Sequence, residues 1–499
     1  MFEVAELGHS LSKKEYKNRE PELRTELLTV QEQLKGADFP VIVLISGVDG
    51  AGKGMTVNLL NEWLDPRYVR TFAFGPMSDE ERERPDYWRF WRSLPQHGRI
   101  GLYVGSWYSQ PIAERVSDHT NEAELDASLL RIKSFEKELV DDGALIIKIW
   151  LHLSKDAQKA RLKTLESDPK TAWRVTKQDK KHLKLYDRFR SIAERTLRET
   201  STGEAPWIIV EGTDPHYRGL TVGQHILNRI RMRLQQREQQ CVSLPPSSND
   251  ALPVLTRPLT LLSHLEMDKA LSKQEYRKQL EKLQGRLHLL ARTALARGIS
   301  TVIVLEGWDA GGKGGLIRRI IPALDARNYQ IIPVAAPTDE EHAHHYLWRF
   351  WRHIPRAGRV TIYDRSWYGR VLVERVEEYA KPEEWMRAYA EINDFEEQLT
   401  DHNTLLLKFW LHIDKDEQMR RFKEREKISY KQYKITDEDY RNRERWDDYE
   451  HAVNDMVERT STEYAPWVLI EGNNKRYARI KALREYCDRL EAKLIGRDE

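Results

Sequence analysis

Gly307-Trp308-Asp309-Ala310-Gly311-Gly312-Lys313-Gly314 follows the apolar run Thr301–Leu305 and opens a stretch that reads as helix. A Gly-x4-Gly-Lys loop between a strand and a helix is a phosphate loop in its proper context. Its glycines let backbone N–H groups turn inward around phosphate oxygens, and the helix N-terminus and the lysine add positive charge. Such a loop belongs at the C-terminal end of a buried parallel strand, so it sets the fold class. The same pattern stands 260 residues earlier as Gly47-Val48-Asp49-Gly50-Ala51-Gly52-Lys53-Gly54.

Outward from the two loops, the whole chain repeats. Leu11 to Tyr16 recurs at Leu271 to Tyr276, Trp88-Arg89-Phe90-Trp91-Arg92 at Trp348 to Arg352, and Ala205-Pro206-Trp207 at Ala465 to Trp467, all at the same offset of 260. A period this long means two copies of one domain, not a solenoid. The division expected is residues 1–238, a linker over 239–259 that contains Leu244-Pro245-Pro246-Ser247-Ser248-Asn249-Asp250, and residues 260–499. In each copy a polar helix (Lys13 to Lys35, Lys273 to Ala296) leads into short apolar runs separated by helical stretches. In the second copy those runs are Thr301–Leu305, Gln330–Val334, Val360–Tyr363, Leu405–Leu411 and Val468–Ile470. Near-continuous apolar strands between helices predict an α/β three-layer sandwich with a parallel five-stranded sheet, twice over.

Composition narrows the class of function. The 499 residues carry 81 Lys+Arg against 79 Asp+Glu, so there is no global charge to coat a nucleic acid. Apolar runs are strand-sized, which predicts no membrane span, and Met1-Phe2-Glu3-Val4-Ala5-Glu6 does not read as a signal peptide. Two cysteines, Cys241 and Cys487, cannot make a disulfide framework. A cytoplasmic location is the expectation.

The two copies then serve as each other's control. The Ser/Thr that usually follows the loop lysine and ligates Mg²⁺ is Gly314 here, and Gly54 in the first copy, so another hard oxygen must hold a metal. Asp309 inside the loop is the obvious substitute. After the third strand the second copy reads Tyr363-Asp364-Arg365-Ser366-Trp367-Tyr368, where Asp364 sits at a metal ligand's usual place beside a phosphate loop. The first copy reads Tyr103-Val104-Gly105-Ser106-Trp107-Tyr108 and lacks both the carboxylate and the arginine. A basic stretch follows the fourth strand, with Arg420, Arg421, Lys423, Arg425, Lys427, Lys431 and Lys434 against Glu424 and Glu426. Arg421 and Arg425, four apart, share a helix face. The first copy keeps Arg161 but has Leu165 opposite Arg425, so three separated losses fall in the same half. The Trp-Arg-Phe-Trp-Arg motif is kept by both copies and reads as core packing, and His152 and His412 read as hydrogen-bonded core residues. These residues alone point to a Mg²⁺-dependent phosphoryl-transfer site in the second half.

The sequence also resembles the polyphosphate kinase 2 family, in its two-domain class. The resemblance rests on Gly307-x-Asp309-x-x-Gly312-Lys313-Gly314, Tyr346-Leu347-Trp348-Arg349, Asp364 to Tyr368, and Arg421 with Arg425. It implies tandem P-loop kinase-like sandwiches with helical lids that carry the arginines. It also implies transfer of the terminal phosphoryl group of polyphosphate to AMP. Asp309 and Asp364 would then hold Mg²⁺, while Gly307, Gly312, Gly314 and Lys313 cradle phosphate. Arg365, Arg421 and Arg425 would neutralise charge on the transferring group. Nucleic-acid and membrane partners are not expected, and a homodimer is among the assemblies allowed. Two rivals remain open on the residues alone: an ATP-dependent nucleotide kinase of the same loop class, and a non-catalytic polyphosphate-binding protein.

Overall fold

The computed structural model describes residues 1–170, 172, 175, 177–243, 261–427 and 437–496. Most of the expected linker, Leu244 to Asp250 included, lies outside them, as do Lys431 and Lys434. The helix Pro215–Ser243 runs past Gln239, the expected start of the linker. Two compact units result, one of Met1–Met77, Arg89–Asn249 and Asp339–His345, the other of Ser78–Trp88, Asp250–Thr338 and Tyr346–Glu499.

Each unit is built on five strands. In the first they are β1 (Val41–Gly47), β2 (Val69–Ala73), β3 (Ile100–Val104), β4 (Leu145–His152) and β5 (Trp207–Glu211). All pair parallel, in the order β2-β3-β1-β4-β5. The second repeats this with β6 (Ser300–Gly307), β7 (Tyr329–Pro333), β8 (Val360–Asp364), β9 (Thr404–His412) and β10 (Trp467–Glu471). Its order is β10-β9-β6-β8-β7, the same topology. β6 lies between β8 and β9, with Leu305 opposite Asp364 and Gly307 opposite Leu411. The chain leaves β6 for one side of the sheet and later crosses to the other. A crevice therefore opens at the C-terminal end of β6, where doubly wound sheets bind ligands. The phosphate loop occupies that end. Helices cover both faces, as β9 requires, since eight of its nine residues are buried. Beneath the loop, Leu316, Ile317 and Ile320 of the helix Lys313–Ile320 join the core with Ile303 and Leu305. Trp348 and Trp351 are buried, and Trp351 packs edge-on against Phe395 with ring centres 4.8 Å apart. Their packing role agrees with both copies keeping the motif.

A buried ionic network fixes the turn that follows β8. The Glu396 carboxylate accepts from Trp367 Nε1 at 3.0 Å, Tyr368 Oη at 2.6 Å and Lys408 Nζ at 2.6 Å. Lys408 also donates to the Thr460 carbonyl at 2.6 Å, and neither charged side chain has any exposure. The first unit builds the same network from Glu136, Trp107, Tyr108, Lys148 and Thr200. Burial alone would neutralise both members, raising the Glu396 carboxyl and lowering the Lys408 amine, and their mutual attraction opposes this. Removing one partner leaves an uncompensated buried charge, which costs about 3–5 kcal/mol. Lys408→Met is accordingly expected to lower unfolding stability by that amount in urea titration, and a midpoint unchanged from wild type would contradict this role.

Candidate active site

The loop of the second unit is shaped by two close approaches. Gly307 has φ 147°, and a Cβ there would lie 2.5 Å from the Leu411 carbonyl oxygen. Gly312, at φ 119°, caps the helix Lys313–Ile320 in a left-handed conformation that favours glycine. Gly314 has open space on its Cα side, so its lack of a side chain leaves the helix N-terminus accessible. Lys313 Nζ donates to the Gly307 carbonyl at 2.6 Å and so lies along the loop it belongs to.

Asp309 is the residue the loop presents. Its carboxylate accepts from Arg365 at 3.2 Å and from Asn442 Nδ2 at 3.0 Å, and its carbonyl accepts from Gln418 Nε2 at 3.2 Å. Asp364 ends β8, half-exposed, beside the end of β6. Arg365 follows with φ 66°, a left-handed backbone that costs a side-chain-bearing residue about 1–2 kcal/mol. Gly105 holds the same place in the first unit at φ 75° without that cost. A strained residue whose guanidinium reaches the loop carboxylate is the kind that persists for function. One cleft gathers Glu306, Asp309, Arg365, Gln418, Asn442 and Tyr449.

Four of these cleft residues were not anticipated from sequence, Glu306 and Asn442 among them. Glu306, the residue before Gly307, is buried and accepts from Ser366 Oγ at 2.8 Å. Burial pushes its carboxyl above the usual range, with Lys313 and Arg365 opposing and Asp364 adding to the rise. Asn442 holds Asp309 from the far side. The signal for both was present in the alignment of the halves, which sets Ser46 against Glu306 and His182 against Asn442.

Arg421 requires a correction. The resemblance implies a helical lid that carries it, with its charge on the transferring group. The structure buries it at 2% exposure in the helix Lys415–Glu426, with its guanidinium spent on backbone. It donates to the carbonyls of Ala310 and Gly311, both at 2.9 Å, and to those of Gly472 at 2.6 Å and Asn473 at 3.1 Å. Five N–H donors in a planar fork suit this task of tying the loop to the end of β10. Arg425, half-buried one turn further on, is near enough for its charge to act on Arg421.

The first unit keeps the frame and changes the contacts. Asp49 accepts from Lys53 at 3.1 Å and pairs with His182 at 2.6 Å, and Gln158 holds its carbonyl at 3.0 Å. Arg161 points to Met55 Sδ at 3.8 Å, while Arg218 takes over the tie, donating to the Gly212 carbonyl at 2.7 Å and to Thr56 Oγ1 at 3.0 Å. Neither Val104 nor Gly105 can supply a carboxylate or a cation.

A parallel sheet with a phosphate loop at its switch point, and a loop carboxylate held by a strained arginine, is the arrangement of a P-loop phosphoryl-transfer protein. The family model described as polyphosphate kinase 2 (PPK2) matches residues 10–238 and 270–497. The chain belongs to the polyphosphate kinase 2 family, and it carries the family's domain twice. It is 53% identical over 493 residues to a protein of Pseudomonas aeruginosa named polyphosphate:AMP phosphotransferase, covering 99% of each chain. A protein of the same name from Pseudomonas syringae pv. tomato is 49% identical over 500 residues, covering 100% of both. The fold matches a crystal structure of a polyphosphate kinase 2 from Pseudomonas aeruginosa with a TM-score of 0.87 and 50% identity over the full length of both chains.

Two measurements follow from the contacts. Arg421→Ala strands the four carbonyls to which it donates, and is expected to cost about 3 kcal/mol of stability. If the variant melts like wild type and loses only turnover, the substrate-facing role is restored. His412 offers a pH test. Its Nδ1 accepts from Trp308 Nε1 at 3.2 Å, so the ring is neutral, and burial pushes its pKa down to about 4. An unfolded imidazole binds its proton near pH 6.5, so the stabilising contribution is whole above that pH and is lost as pH falls toward the folded value. Between pH 7 and pH 5 the stability advantage of wild type over His412→Gln should shrink by about 2 kcal/mol. An advantage that does not change with pH would contradict the assignment.

Proposed function

We propose that this chain transfers the terminal phosphoryl group of inorganic polyphosphate to AMP, giving ADP, at the site of the second unit. The full-length likeness to proteins named for that activity supports the substrates. The observation that carries this reading is the loop carboxylate: Asp309 is held by Arg365 and Asn442 in the second unit, whereas its counterpart Asp49 is held by Lys53 and His182 in the first. At the turn after the third strand the second copy has Asp364 and a left-handed Arg365 where the first has Val104 and Gly105. The reading includes a cytoplasmic location.

The chemistry asks little covalent work of the protein. The phosphate of AMP, with a second pKa of about 6, is already a dianion at neutral pH. An oxygen of that phosphate forms the new P–O bond to the terminal phosphorus. The bond to the penultimate phosphate breaks, and the shortened chain leaves with the electron pair. No net proton transfer is required. The task is to hold two polyanions together and neutralise the charge between them. Asp309 and Asp364 are a pair of hard oxygen donors that fits Mg²⁺, the usual partner of phosphates. Bound there, the ion would supply charge neutralisation to the transferring group. Lys313 and the loop amides would hold phosphate oxygens, and Arg365 with Arg425 would offset equatorial charge. Arg421 would act through the loop, by keeping its carbonyls turned away from the anion.

Two experiments bear on this reading. Purified chain with polyphosphate and AMP should form ADP in the absence of ATP, and a strict requirement for ATP would return the ATP-dependent kinase. Arg365→Gly should leave thermal stability within about 1 kcal/mol of wild type, since glycine relieves the left-handed backbone. Turnover should fall about 10³-fold or more, the scale of a charge-neutralising arginine. Turnover within threefold of wild type would remove Arg365 from the chemistry.

A further inference from the structure

The first unit repeats the crevice with its charged tools removed and its space enlarged. Ser46, Val48 and Gly105 stand where the second unit has Glu306, Trp308 and Arg365, each a reduction in side-chain volume. In the second unit Trp308 stacks on Trp446 at 3.7 Å between ring centres. The first unit's cleft spans about 1250 Å³, open solvent included, against about 620 Å³ for its counterpart. A site abandoned to packing would be expected to fill in, and this one is open.

Its lining has two characters. One end is an intact phosphate loop, with Gly47 and Gly52 at positive φ, Lys53 at the start of an eleven-residue helix, and Lys181 and His182 at the rim. Much of the remaining lining is apolar, made by Ile112, Val116, Trp150, Leu185, Tyr186 and Phe189. Trp150 and Phe189 lie near-parallel at 5.9 Å. A naked polyanion gains nothing from such a wall, and Lys53 and His182 are already engaged with Asp49. A ligand with a phosphate at one end and a flat, largely apolar body at the other uses both characters.

We propose that the first unit's cleft is a non-catalytic binding site for a nucleoside phosphate. Without a carboxylate at Val104, the site has no acidic pair for a metal, so binding is metal-independent. Without a cation at Gly105, no transfer follows.

Equilibrium dialysis of labelled AMP against the full chain in EDTA tests this. Val48→Trp restores the indole that the homologous fold accommodates at Trp308, and it should remove one equivalent of bound AMP per chain. Lys53→Ala should weaken that same equivalent tenfold or more, and it decides the matter alone should Val48→Trp fail to fold. Equal AMP binding by wild type and both folded variants would overturn the proposal. So would variants that lose binding of long-chain polyphosphate while keeping every equivalent of AMP. The readout is binding at the first unit, so it stands or falls separately from turnover at the second.

Discussion

The buried carboxylate Glu396 anchors the geometry on which the second unit's chemistry rests. It draws Trp367, Tyr368 and Lys408 into one desolvated network and so pins the turn that begins at Asp364. A left-handed Arg365 cannot hold its place by its own backbone preference; the anchored residues two and three positions on hold it there. Glu136 does the same for Trp107 and Tyr108 in the first unit, where the turn carries Val104 and Gly105 instead. The frame and the chemistry are therefore separable. One copy retains the frame alone.

The phosphate loop shows the same separation. Its carbonyls must face away from a bound anion, and in each unit one buried arginine donates to the carbonyl just past the last strand, with Arg421 also reaching the loop carbonyls of Ala310 and Gly311. The second unit uses Arg421 from the helix Lys415–Glu426, and the first uses Arg218 from the helix Pro215–Ser243. Two different sequence positions reach the equivalent carbonyls of Gly472 and Gly212. The guanidinium fork meets the need wherever the chain can deliver it, so aligned residues need not share a task.

That last point marks where the sequence stopped being readable. Strand positions were legible because parallel strands buried on both faces read as continuous apolar runs, and β6 to β10 fall within about two residues of their expected places. The loop, Asp309 and the Asp364-Arg365 pair were legible because phosphate chemistry dictates residue types at fixed spacing. Strand order was not, since helix-length connections permit several. The burial of Arg421 was not either: helical spacing puts it on a face with Arg425, but only the packed fold shows that this face meets the loop's carbonyls and not solvent. Glu306 was hidden for a different reason. A lone glutamate ending an apolar strand carries no motif, and only its contrast with Ser46 hinted at a role.

The account rests on function residing in the second copy's loop, with fold and function separable there. Lys313→Ala tests that most directly, because the Lys313 amine donates to the Gly307 and Trp308 carbonyls of its own loop. Steady-state turnover with saturating AMP and polyphosphate should fall below detection, while the urea midpoint stays at the wild-type value. Turnover within a few-fold of wild type in a folded Lys313→Ala chain would contradict the account and move the chemistry elsewhere.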